Sequence, residues 1–449
     1  MTEAADRSFL FLQGPHGPFL AELGATLAAM GAGVLRIGFN AGDAAEWPDR
    51  GRYLPFRAPA AAWPDFLRGV LRGRGVTDLV MYGDARPLHV AAAAIAAAEG
   101  VRVHWLEEGY LRPHWITHEI GGVNGASRLI DTPIARIRAA ARRIDLPLVP
   151  APDRWGAARA HAWHGAIHHA RLLAGWRGYP HWQSHRTPGP AREAWLNARR
   201  LLTGPARAVR ARIQGRVLRG AGRPYDVVLL QLSHDSAFIR HGPFPTMEDF
   251  IAHCITAFAA GAPGQVALVF RTHPFEDMRL PLPAIVRRLA RGAGIAARVR
   301  LIDGGPLGPL LDGARAAVTV NSTAGQQALW RGLPIAALGR AIYAKPGLAS
   351  TRPLADFFAE PDPPDPAAYA DFRRFLLATT QLPGSFYARA GRRAAVAGLA
   401  ARLMSGDDPL ARLLGAEEEG VANRPRNPAA DADGAPARRK AIPRSAALL

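Results

Sequence analysis

The chain has 449 residues, 49% of them hydrophobic, with a formal net charge of +19. That length predicts two or three domains with substantial cores, and the single cysteine, Cys254, excludes an intrachain disulfide framework and a cysteine-based metal site. The first residues are polar, the apolar stretch at 9–12 is too short for a signal sequence, and no apolar run reaches a membrane span, so a soluble cytoplasmic protein is expected.

The spacing predicts a strand over 8–12, a breaker-rich turn at Gln13-Gly14-Pro15-His16-Gly17-Pro18, and a helix over 19–30. Apolar residues at Phe19, Leu20, Leu23, Leu27 and Met30 carry the helical period. A second strand over 34–39 ends in Asn40-Ala41-Gly42-Asp43. This βαβ start lacks the G-x-G-x-x-G of a dinucleotide site. A helix over 64–74, a strand over 78–82, an alanine-rich helix to Glu99 and a strand over 101–106 follow, the last ending in Glu107-Glu108-Gly109-Tyr110. Alternating strands and helices predict a parallel, doubly wound domain over 8–135.

Residues 136–222 read as helical and loop-like, punctuated by proline and tryptophan. They hold 17 arginines against Asp145, Asp153 and Glu193, net +14 of the total, and five of the ten tryptophans. Arginine with tryptophan suits an anionic membrane surface or another polyanion; a solvated helical linker fits as well.

Strand pattern resumes over 226–232, before His234-Asp235-Ser236. A helix over 247–259 leads to the apolar run 266–270, which stops at Arg271-Thr272-His273-Pro274. A helix over 284–291, a strand over 299–302 and a short helix over 307–311 come next. The strand over 316–320 ends at Asn321-Ser322-Thr323, whose hydroxyls are expected to start a helix over 324–331; a last strand spans 334–338. This is a second α/β domain, over 223–360. Closing helices are predicted over 367–378 and 388–403, within 361–404, and an aperiodic, disordered tail over 405–449.

Four strand ends thus carry polar groups. Paired carboxylates at Glu107 and Glu108 repel, which raises one pKa towards acid–base use. Asp235, between a histidine and a serine, can stay ionised as a nucleophile or charge stabiliser, or it can cap the turn before Phe238. His273, with a cation two residues upstream and held extended by Pro274, suits a phosphate or a leaving group; a packed turn histidine is the alternative. Ser322 and Thr323 can bind phosphate at a helix start or only cap it. Together they outline a cleft for an anionic nucleotide.

Several stretches carry a resemblance. They are Leu12-Gln13-Gly14-Pro15, Phe39-Asn40-Ala41-Gly42-Asp43, Tyr82-Gly83-Asp84, Glu107-Glu108-Gly109-Tyr110-Leu111-Arg112-Pro113, Val123-Asn124-Gly125, Gln231-Leu232 with His234-Asp235-Ser236, His273-Pro274, Asn321-Ser322-Thr323-Ala324-Gly325 and Leu338-Gly339-Arg340-Ala341-Ile342-Tyr343. Over roughly 8–350 the chain resembles the bacterial capsule polysaccharide biosynthesis proteins, the β-Kdo transferases of lipid-anchored capsule assembly. The resemblance implies a GT-B-like fold of two Rossmann-like domains with a basic helical insertion and closing helices. It implies Kdo transfer from CMP-Kdo to an anionic phospholipid, or to the growing Kdo linker, at the inner face of the cytoplasmic membrane, without a metal or other cofactor. A capsule assembly or export complex is an implied partner; nucleic acid is not, since no reading element is present.

Carried over by position, Asp235 is the nucleophile of a retaining double displacement and Glu108, with Glu107 as rival, the acid–base. His273, Pro274, Arg271, Asn321, Ser322 and Thr323 hold the donor, and Gln13, Gly14, Asn40, Asp43 and Arg112 lie on the acceptor side. The basic residue expected beside the His-Pro pair is here Arg271, with Thr272 intervening. Another CMP-activated nonulosonic acid, or a non-catalytic role in an export complex, are the rival readings. The basic segment would then dock the enzyme on the membrane.

Overall fold

The computed structural model describes residues 7–145, 157–183 and 190–415. The first unit runs β1 (Ser8–Phe11), α1 (Phe19–Ala29), β2 (Gly33–Gly38), α2 (Ala41–Ala45), β3 (Tyr53–Pro55), α3 (Trp63–Gly73), β4 (Asp78–Tyr82), α4 (Pro87–Ala98), β5 (Arg102–Glu108), β6 (Trp115–Ile120) and α5 (Ile134–Ala141). Two connecting helices follow, α6 (Ala157–Ala174) and α7 (Pro190–Gly220). The second unit runs β7 (Tyr225–Leu229), α8 (Ser236–His241), α9 (Met247–Gly261), β8 (Ala267–Arg271), α10 (Leu282–Gly292), β9 (Val299–Ile302), α11 (Leu307–Asp312), β10 (Ala316–Thr319), α12 (Gly325–Leu329), β11 (Ile335–Ala337) and α13 (Leu354–Ala359). The chain closes with α14 (Pro366–Thr379), β12 (Gln381–Pro383), α15 (Arg389–Ser405) and α16 (Pro409–Leu414).

Two sheets result, in the orders β12-β6-β5-β4-β1-β2-β3 and β11-β10-β7-β8-β9. The second is parallel throughout. Its central strands β10, β7 and β8 are covered on both faces, which is why β7 and β8 are unbroken apolar runs apart from Asp226 and Arg271. In the first sheet β3 to β5 are parallel, but β6 and β12 join antiparallel. This corrects the expectation of a purely parallel first domain. β6 (WITHEI) escapes a hydropathy reading because His118 and Glu119 are buried there. His118 Nε2 lies 3.0 Å from His104 Nδ1, and the Tyr110 hydroxyl donates to Glu119 at 2.5 Å.

The closing segment returns to the first unit. β12 extends the first sheet, and α15 packs on α1, with Phe19 and Phe386 edge-on at 4.8 Å. This crossing, with one Rossmann-like unit on each side, is a GT-B-like arrangement. The tail differs from its reading: residues 409–414 form α16, with Leu410 and Leu414 buried and Asp408 paired to Arg128 at 2.6 Å. The remainder of the tail, 416–449, lies outside the described residues, as do 146–156 and 184–189 of the basic segment. Pro205 interrupts no helix: α7 continues through it for 31 residues. The missing amide bond is outweighed by the packing of α7 on the second unit, where Ala211 is buried against Gly305 and Arg207 pairs with Asp303.

Candidate functional site

Parallel strands deliver their following loops to one edge of a sheet. The carboxyl edges of the two sheets meet at a cavity of about 320 Å³, a size that suits a small ligand. Glu107, Tyr110, Arg112 and Asn124 form one wall; Asp235, Arg271, His273 and Thr323 belong to the other.

Arg271 ends β8, the strand made by the apolar run that precedes it. It is 6% exposed. Its Nη2 donates to the Gly305 carbonyl at 2.7 Å, while the buried Nε has no hydrogen-bond partner among the described residues. Burial pulls the guanidinium down to about 10. A buried cation in this state favours an anion strongly. Two residues on, His273 Nδ1 accepts the Phe275 amide at 3.1 Å. That bond leaves Nε2 to hold the proton of the neutral ring. Pro274 lines the same wall.

Asp235 does cap α8, accepting the Ala237 amide at 2.9 Å, and it also lines the cavity. The cap holds the carboxylate in place without removing it from the site. Asn321 is a brace. Its Oδ1 accepts from Gln231 at 2.9 Å, its own amide goes to Gln231 Oε1 at 3.2 Å, and its Nδ2 donates to the Ala237 carbonyl at 2.7 Å. The ends of β7 and β10 are thereby tied together. Ser322 Oγ accepts the Ala324 amide at 3.2 Å. The helix expected over 324–331 is shorter, Gly325–Leu329, and its N-cap is Ala324 without a side-chain cap. Ser322 and Thr323 therefore offer hydroxyls to the cavity rather than a helix start.

The two glutamates part company. Successive side chains on a strand point to opposite faces, and Glu107 lines the cavity while Glu108 does not. Burial raises the phenols of Tyr82 and Tyr387 nearby, and both glutamates add to the rise. Burial pushes Glu107 up to about 7; the Glu108 amide, donating to Glu107 Oε1 at 3.0 Å, pulls the other way, and Asp84 adds to the rise. Burial also raises Glu108, against the pull of Arg112. Gly109 is required by close approach: a Cβ there would stand 2.4 Å from the Trp115 carbonyl oxygen.

Of the residues expected on the acceptor side, only Arg112 lines the cavity; its Nε donates to the Gly109 carbonyl at 3.1 Å. Gln13, Gly14, Asn40 and Asp43 do not. Asn40 and Asp43 are each 2% exposed. Asn40 accepts the Asp43 amide at 2.9 Å, capping α2, and Asp43 accepts from Gln13 at 2.9 Å and from the Phe39 amide at 3.0 Å. They hold the β1 and β2 ends in place. Gly14 packs on Leu20, whose Cδ1 would be 2.4 Å from an added Cβ.

The cavity also contains residues that sequence reasoning gave no role. Tyr110, Asn124, Gln231, Arg340 and Tyr343 stand in the family-like stretches, which was the available signal. Gln326 had none. It is 3% exposed, lines the cavity, and neither side-chain amide atom has a partner among the described residues. Apart from the cavity, the fold brings His16, Glu46 and His168 within 4.8 Å, a grouping invisible in sequence spacing. His168 Nδ1 is 2.9 Å from Glu46 Oε1, which also accepts the Gly17 amide at 3.0 Å, so the group latches α6 to the first unit.

The description "capsule polysaccharide biosynthesis protein" matches residues 77–387, a span that contains every cavity residue named above. The chain belongs to this family. Among its capsule relatives, the Escherichia coli capsule polysaccharide export protein KpsS is 30% identical over 390 residues, 85% of this chain and 97% of the relative. The Neisseria meningitidis serogroup A capsule polysaccharide modification protein LipB is 30% identical over 406 residues, 87% and 93% of the two chains. Among solved structures, Thermosulfurimonas dismutans KpsC, a β-Kdo 2,7 transferase, aligns at 12% identity and a TM-score of 0.43, covering 88% of this capsule protein and 98% of that chain. The family expectation drawn from the sequence motifs is met.

Proposed function

We propose that the protein is a retaining glycosyltransferase that moves Kdo from CMP-Kdo to a glycerophospholipid, or to the growing Kdo linker, at the inner face of the cytoplasmic membrane during capsule biosynthesis. The observation that carries the reading is the pairing across one cavity of a held carboxylate, Asp235, with a half-buried carboxyl, Glu107, beside the anion-seeking Arg271 and His273. A CMP-activated ulosonic acid brings two anions, a phosphodiester and the sugar carboxylate. Arg271, Arg112 and Arg340 supply three cations for them, so the donor's single phosphate calls for no metal.

In the proposed reaction Asp235 attacks the anomeric carbon of Kdo as the bond to the CMP phosphate breaks. Arg271 and His273 Nε2–H stabilise the departing phosphate oxygen. Glu107 then takes the proton of the acceptor hydroxyl, whose oxygen attacks the same carbon and releases Asp235. Two inversions give net retention. Glu107 rather than Glu108 is assigned the acid–base role because it faces the cavity.

The test is product formation from CMP-Kdo and a fluorescent phosphatidylglycerol analogue. Asp235→Ala and Glu107→Gln are expected to lose at least about 100-fold in kcat, and His273→Ala about 10- to 100-fold. Full activity in Asp235→Ala overturns the nucleophile. A thermal-shift screen with CMP, UDP and GDP is expected to single out CMP. No transfer from any CMP-activated ulosonic acid by the wild type would leave the non-catalytic export role.

A further inference from the structure

The helix α7 presents an apolar stripe to solvent. Trp195, Leu202, Val209, Ile213 and Val217 are 58%, 83%, 54%, 54% and 67% exposed. At about 100° per residue they fall within an arc of about 80°. The opposite face is occupied: Leu196, Ala211 and Gly215 are buried, Ala211 lies against Gly305, and Arg207 is bound to Asp303 and to the Glu276 carbonyl. The stripe is therefore an outward surface of a helix already anchored, and its exposure is set by how α7 sits on the second unit.

Its borders are basic on both sides. Arg192, Arg199 and Arg210 run along one, and Arg212, Arg216 and Arg219 along the other; all are exposed except Arg199, which is half-buried and stacks over Trp195 at 5.4 Å. Beyond the first border lies a hollow of about 920 Å³ between α7, α10 and β9, lined by Arg287, Arg291 and Arg300 together with Val286 and Leu301; its two carboxylates, Glu276 and Asp303, lie on the side where Arg207 is bound. Aliphatic side chains in the middle, guanidinium groups at both edges and an arginine-lined trough beside them match the layering of a bilayer interface, with acyl chains below and anionic headgroups at the level of the arginines.

We propose that α7 lies in the plane of an anionic phospholipid surface with this stripe inserted. A second copy of the chain is a poorer occupant: facing stripes would bring arginine rows against arginine rows, and Glu193 is the one acidic residue in the helix. A nucleic acid would leave the aliphatic centre without a partner. The inference deepens the proposed function by naming the surface on which a lipid acceptor is met. It stands on binding alone, so vesicle binding without transfer overturns the enzymatic reading and leaves this one intact.

The experiment is flotation of the full chain with vesicles, without donor. Wild type is expected to float with phosphatidylglycerol vesicles at least tenfold more than with phosphatidylcholine vesicles, and to be released by high salt. The variant Leu202→Ser, Val209→Ser, Ile213→Ser, Val217→Ser is expected to lose at least tenfold in affinity with an unchanged thermal midpoint. A second variant, Arg210→Gln, Arg212→Gln, Arg216→Gln, is expected to lose the preference for phosphatidylglycerol. Equal flotation of the serine variant and wild type overturns the proposal, as does equal binding of wild type to the two lipids. So does a wild-type dimer in sedimentation velocity that the serine variant abolishes, since a second copy would then cover the stripe.

Discussion

At the residue scale burial sets the character of the cavity's charged groups. Glu107 is carried into the cavity by the alternation of β5 and kept partly neutral near pH 7 by burial. The sign of its effect on stability follows. A carboxyl raised in the folded state from about 4.5 to about 7 binds its proton more tightly folded than unfolded, so stability falls as pH rises through that window. Glu107→Gln is expected to remove its share of that fall, leaving the variant more stable than wild type at pH 8 by up to about 3 kcal/mol. Urea unfolding at pH 5 and pH 8 measures it. In the transfer assay the limb of the pH–rate profile near pH 7 should vanish with the same substitution. Gln326 gives a second contrast. Its buried amide, without a partner among the described residues, costs about 1–3 kcal/mol. Gln326→Leu is expected to raise the thermal midpoint of the free protein while weakening CMP binding about tenfold, read by thermal shift with and without CMP.

At the scale of elements, the β5–β6 hairpin decides which carboxylate reaches the cavity. Its turn depends on Gly109, whose amide donates to the Trp115 carbonyl at 3.0 Å. A methyl group at position 109 strikes that carbonyl, so Gly109→Ala is expected to destabilise by about 1–3 kcal/mol and to lower kcat by displacing Glu107. Equilibrium unfolding and the transfer assay report the two effects separately. The basic segment resolves in the same way into elements with different jobs. Arg207, one residue type among many in the sequence, is spent on Asp303, whereas Arg210, Arg212 and Arg216 stay at the surface. Neutralising Arg207 with the others, as composition alone would advise, mixes a structural ion pair with surface charge.

At the scale of the whole molecule, one set of contacts holds the two units at a fixed spacing. His241 Nε2 is 2.8 Å from Asp84 Oδ2, and Arg240 donates to the Asp84 carbonyl. Arg340 Nε donates to the Gly125 carbonyl at 2.9 Å, and Lys345 Nζ reaches the carbonyls of Leu129 at 2.6 Å and Ile130 at 3.0 Å. Helix α6 adds a bridge, with His161 stacked on Tyr387 at 4.2 Å and edge-on to Phe275, the neighbour of the His273 turn. Asp84→Ala is expected to leave the buried His241 Nε2 without its hydrogen-bond partner, destabilise by about 1–3 kcal/mol, and raise KM for the donor more than it lowers kcat. Calorimetry is expected to show a broader unfolding transition for the variant than for wild type as the units uncouple.

Much of this was readable in the chain itself. Covered parallel strands demand unbroken apolar runs, so the strands ending at Glu107, before Asp235, at Arg271 and before Asn321 announce themselves, and their polar ends mark the cleft. The family-like motifs carry the class of protein. What the sequence could not determine depends on contacts distant in the chain. Which glutamate faces the cavity rests on the pleat and on pairing with β6, a strand hidden by its buried His118 and Glu119. That Asn40 and Asp43 brace the ends of β1 and β2 and do not line the cavity rests on hydrogen bonds to each other, to Gln13 and to the Phe39 amide. That α7 runs through Pro205 and turns one stripe outward rests on its seat against Asp303 and Gly305. Hydropathy and spacing register what a residue is; only packing decides what it is left facing.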